Sequence, residues 1–110
     1  MPTRTIYGIT DPANNWLTLT LPSETGFLTA VSAYEPYFAR GSAELFGIIG
    51  LGTVESATPL PHLILASHYF GAQHLLGWTG HIRLHPSSVI IARFRSLVST
   101  GITLTINTED

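Results

Sequence analysis

The sequence predicts a single all-β domain spanning residues 1–110, a jelly-roll-like antiparallel β-sandwich of about eight short strands. Apolar residues alternate with Thr in stretches such as 17–21 and 102–106, which puts one kind of side chain on each face of an extended chain. Gly (10) and Pro (7) punctuate the chain at the short intervals expected of strands and turns. No apolar set repeats with a sustained helical period, so a helix fits only short pieces such as 36–40.

Arg4 to Thr10 is the first expected strand, closed by the turn residues Asp11-Pro12-Ala13-Asn14-Asn15. Trp16 to Leu21 is the second, with Leu17, Leu19 and Leu21 on one face and Trp16, Thr18 and Thr20 on the other. Pro22 cannot donate to a ladder and helps to stop it. Gly26 to Tyr34, Ala43 to Leu51 and His62 to Tyr69 follow. His74 to Trp78 reads as a separate short strand. Gly80 to Leu84 is expected to pair with Ser88 to Arg95 across His85-Pro86-Ser87. The last strand, Ile102 to Asn107, turns Ile102, Leu104 and Ile106 inward. The expected core comprises these three, the three leucines of 17–21, Ile90 and Phe94, and the same alternation places Phe27 and Phe46 with them.

Charge is the anomaly of the composition. Only 11% of residues are charged, against about 25% in typical domains, and 45% are hydrophobic. The five basic residues are all Arg, and the formal net charge is −2. Such a chain has no basic field with which to grip a phosphate backbone, so nucleic acid is not an expected partner. No apolar run approaches the ~20 residues needed to span a bilayer as a helix, so no membrane partner is expected either. There is no Cys, hence no disulfide and no thiolate chemistry. Residues 1–5 lead into an alternating segment, not an apolar run, so no signal peptide is expected.

The order of elements carries a resemblance. A Leu/Thr strand runs into Leu21-Pro22-Ser23-Glu24-Thr25-Gly26 and then Phe27-Leu28-Thr29-Ala30-Val31-Ser32. Later come Trp78-Thr79-Gly80-His81-Ile82-Arg83-Leu84-His85-Pro86, Val89 to Phe94, and Ser99-Thr100-Gly101-Ile102-Thr103-Leu104-Thr105-Ile106. This resembles small jelly-roll virion proteins of tailed bacteriophages, particularly capsid cement or decoration proteins. Where that family commonly has Pro-Gly and Gly-Asp turns, this chain has Pro86-Ser87 and Gly101-Ile102. The resemblance implies a structural role at the capsid surface of a virion, as a homotrimer contacting the major capsid protein or another virion protein. It implies neither enzyme activity nor a cofactor.

The residues carry no constellation for chemistry. All five His lie between positions 62 and 85, but no carboxylate falls between Glu55 and Glu109, and there is no His-x-His pair. A His/Glu metal centre inside a jelly roll is therefore not expected. No nucleophile elbow, Walker loop or dinucleotide fingerprint occurs, and no catalytic or cofactor-binding residue is assigned.

Binding to other protein surfaces is the better expectation. Three segments, 43–51, 62–66 and 89–95, are apolar on both faces, as strands with a second covered face are. No Lys is present to blunt sheet edges. The interface candidates are the aromatics Trp16, Tyr37, Phe38 and Trp78, with Arg93 and Arg95, two apart on one strand face, able to fork toward carboxylates of another chain. The alternative is a carbohydrate- or receptor-binding module, in which Trp16, Tyr34, Tyr37, Phe38, Tyr69, Phe70 and Trp78 furnish a stacking platform for a sugar.

Overall fold

The computed structural model describes residues 3–11, 16–22, 26–35, 45–53, 62–70, 75–85, 87–96 and 99–109. These hold eight strands: β1 (Thr3–Ile9), β2 (Leu17–Pro22), β3 (Gly26–Tyr34), β4 (Phe46–Thr53), β5 (Leu63–Tyr69), β6 (Leu75–Leu84), β7 (Ser88–Arg95) and β8 (Gly101–Glu109). They form two four-stranded antiparallel sheets, ordered β1-β8-β3-β6 and β2-β7-β4-β5. The first strand pairs with the last, the second with the seventh, the third with the sixth and the fourth with the fifth. This nesting is one long hairpin rolled into two sheets, a jelly-roll order, and the antiparallel β-sandwich is the fold class that the alternation led us to expect.

The strands that sit inside each sheet have the cleanest patterns. In β8, Ile102, Leu104, Ile106 and Thr108 are buried in strict alternation with Thr103, Thr105, Asn107 and Glu109. Opposite it, β7 contributes Ile90, Ala92 and Phe94 to the same core. Leu17, Leu19 and Leu21 face this core as expected, but β2 is an edge strand and leaves them partly exposed. Gly47 lets the two sheets close. A Cβ there would lie 2.7 Å from Leu76 Cδ2 and 2.9 Å from Phe70 Cε1, where Phe70 packs edge-on against Phe94.

Four sequence expectations change. The segment 75–84 is one continuous strand, whose glycines do not interrupt it. It pairs with β3, not with β7, because β6 and β7 belong to different sheets; where the chain enters β7, Ser88 N donates to the His85 carbonyl at 2.9 Å. Phe27 and Phe46 lie on outer faces. A β-bulge between Leu28 and Ala30 turns both Leu28 and Val31 inward and so sends Phe27 out. In β4 the inward row is Gly47, Ile49 and Leu51, which leaves Phe46 and Ile48 outside. Finally, the second apolar face of β7 is covered within the chain itself: Val89 and Ile91 are 5% and 0% exposed. The helical possibility at 36–40 falls outside the described residues.

Core truncation should be costly. Leu104→Ala is expected to destabilise the fold by about 2–5 kcal/mol, and Gly47→Ala, which overpacks the space between the sheets, by about 1–3 kcal/mol. Urea unfolding checks both, and an unchanged midpoint for either would mean that the assigned face is wrong.

Candidate protein-binding surfaces

One row of side chains crosses the outer face of the β2-β7-β4-β5 sheet. Phe46 is paired with Arg95 on one side and Tyr69 on the other, and Leu17 with Phe94, so Trp16 enters the row beside Arg95. The order across the sheet is Trp16, Arg95, Phe46, Tyr69. Trp16 and Phe46 meet edge to face with centroids 6.2 Å apart, and Phe46 and Tyr69 do so at 5.0 Å. Such T-shaped pairs bring the positive ring edge to the negative face of the neighbour.

Both arginines lean on the indole. The guanidinium carbon of Arg93 lies 4.8 Å from the Trp16 ring centroid and that of Arg95 lies 6.0 Å from it. Arg93 Nε also reaches Thr18 Oγ1 at 3.4 Å, at the long end of hydrogen bonding. Among the described residues, neither guanidinium forms an ion pair with a carboxylate. The result is an aromatic ridge with two positioned cations that have donors to spare.

Of the expected interface residues, the structure thus brings Trp16, Arg93 and Arg95 together. Trp78 goes elsewhere: it lies on the inner side of β6, packs against the core, and its ring passes over Gly80, where a Cβ would meet the indole at 2.5 Å. Tyr37 and Phe38 fall outside the described residues. Sequence reasoning missed Phe46 and Tyr69 as members of the ridge. The only available signal was that Phe46 precedes Gly47, whose lack of a side chain marks the inward position.

Among the described aromatics considered for a sugar platform, only Trp16 and Tyr69 share a surface, with Phe46 and Arg95 between them. Phe70 is in the core, Trp78 faces inward, Tyr34 lies on the opposite sheet, and the Trp16 ring carries guanidinium groups.

The outer face of the β1-β8-β3-β6 sheet differs in character. At one end Phe27 stands between Arg83 and Glu109 in the register. His81 stacks on Phe27 with centroids 4.1 Å apart, Arg83 lies over the same ring at 5.3 Å, and His81 Nε2 is 3.1 Å from Glu109 Oε1. Folding therefore supplies the carboxylate that the sequence around the histidines lacks, as a single solvent-exposed pair. No group of three His, Asp or Glu capable of holding a metal occurs among the described residues.

No family model matches the chain, and no curated protein matches it. Among solved structures it is similar to the Drosophila NLP core, whose structure was described for pentamer formation and histone binding. The identity is 10% and the TM-score 0.43, over 97% of this chain and 99% of that one. A likeness of that size carries no functional information.

The two arginines should differ energetically. Arg93→Ala removes the closer cation–π contact and is expected to cost about 0.5–1 kcal/mol of stability. Arg95→Ala, at the limit of that interaction, should stay within about 0.5 kcal/mol of the parent. Paired urea titrations check this; equal losses would contradict the assigned geometry.

Proposed function

We propose that this chain is a structural protein that works by binding other protein surfaces, as a cement or decoration protein on the capsid of a tailed bacteriophage, where it acts as a homo-oligomer. The observation that carries the reading is the ridge of Trp16, Arg95, Phe46 and Tyr69 with Arg93 beside it. Interface hot spots favour Trp, Tyr and Arg, especially where a ring and a planar cation are held in place before the partner arrives. Without a carboxylate partner in the described part of its own chain, each guanidinium is suited to an acidic group on the partner. The scarcity of charge and the jelly-roll strand order support a lattice-bound protein.

The test is co-sedimentation with capsids stripped of the chain. The parent protein should bind saturably. Trp16→Ala should weaken binding by about 2 kcal/mol, some thirtyfold. The double substitution Arg93→Glu and Arg95→Glu should weaken it at least as much, and neither variant should unfold at the assay temperature. Absence of the chain from every virion fraction, together with saturable binding to a defined sugar, would replace this reading with the carbohydrate one.

A further inference from the structure

The sandwich has a second outer face that the ridge does not use, and its register has a property of its own. Four large hydrophobics stand exposed at one end: Tyr7 (56%) and Ile9 (56%) on β1, Tyr34 (46%) on β3 and Leu75 (43%) on β6. Tyr7 is paired with Thr103, Thr103 with Tyr34 and Tyr34 with Leu75, so one rung crosses all four strands. The next rung is Thr5, Thr105, Ser32 and Gly77, and the one after it Thr3, Asn107, Ala30 and Thr79. None of these three rungs contains a charged residue. Charge returns only at the far end, with both signs present, in Arg83 and Glu109.

We propose that this face is a contact between two copies of the chain, packed sheet to sheet about a two-fold axis that runs along the strands between β8 and β3. The inference rests on the reading that copies of the chain associate. It goes further by naming the surface and its symmetry. Such an axis reverses the order of each rung in the second copy, and every reversed rung is complementary to the original. Tyr7 comes to lie over Leu75, Tyr34 over Thr103, Thr5 over Gly77 and Asn107 over Ala30. Large side chains meet small or apolar ones, as close sheet packing at about 10 Å requires. At the charged end, Glu109 of each copy faces Phe27 and the neighbouring Arg83 of the other. An axis across the strands would instead set the charged end against Tyr7 and Tyr34, which buries charge without a partner.

The uncharged middle explains why the occupant is a second copy. A face with one sign of charge would repel itself, whereas this one presents nothing to repel over three rungs, and an isologous contact needs self-complementarity. Strands spaced about 4.8 Å and rungs about 6.8 Å apart give a footprint of roughly 400 Å². That is below the about 800 Å² per partner of standard interfaces, so the dimer should be weak and dissociate in the micromolar range.

The experiment is sedimentation equilibrium over a concentration series that crosses that range. The parent chain should show a reversible monomer–dimer equilibrium. Gly77→Arg should raise the dissociation constant at least about tenfold. It should leave the melting temperature of the dilute monomer unchanged, because a Cβ at Gly77 meets nothing nearer than the Val31 carbonyl oxygen at 3.7 Å. Ser32→Arg, on the same rung, should act in the same direction. A strict monomer at every concentration would overturn this inference and the reading that copies associate. A trimer, or a dimer indifferent to both substitutions, would overturn the face and leave association standing.

Discussion

The sandwich depends on burying the inner rows of β8 and β7 in one core. Ile102, Leu104 and Ile106 from one sheet and Ile90, Ala92 and Phe94 from the other are almost wholly removed from water. Each strand lies between two neighbours in its sheet, so its alternation fixes the facing of those neighbours. A slip of one residue in either would exchange inside for outside across a whole sheet. With Ile106 and Leu104 inward, Thr103, Thr105 and Asn107 must face out. With Phe94 inward, Arg93 and Arg95 must face out. Both candidate surfaces are thus consequences of how the core is packed.

Much of this was legible in the sequence. Leu/Thr alternation in 17–21 and 102–106 reports directly which face meets the core, and β3 and β7 were placed with their observed bounds. What local pattern could not report was pairing. β6 leaves β7 for β3 because a jelly roll nests its hairpins across two sheets, a long-range choice without a local signal. The bulge in β3 reversed Phe27, since one inserted residue inverts the parity on which the reading rests. The site was legible in part. Trp16 and the arginines of β7 were visible as outward residues of their own strands, and the β2–β7 register makes them neighbours. Phe46 and Tyr69 joined them only through register, and Trp78 left them because β6 belongs to the other sheet and holds it on the inward row with Leu76 and Leu84.

The shortage of charge acquires a location. In the β1-β8-β3-β6 sheet it produces an outer face of Thr, Ser, Asn, Ala and Gly, bordered by Tyr and Leu. On the other sheet the available cations are concentrated on one indole. A monomer that stayed alone in solution would have little use for either arrangement, because solubility favours charge spread evenly over the surface. Two dissimilar faces on opposite sides of a thin sandwich instead allow two different contacts at once. One can be made to another copy and one to a larger lattice.

The most direct measurement is an electron cryomicroscopy map of tailed-phage capsids mixed with the purified chain. On the proposed reading the sandwich sits on the outside of the capsid, with the Trp16 ridge against the lattice and Arg93 and Arg95 within reach of acidic side chains. A map in which the chain is absent from the particle, or in which both arginines face solvent while another surface makes the contact, would contradict it.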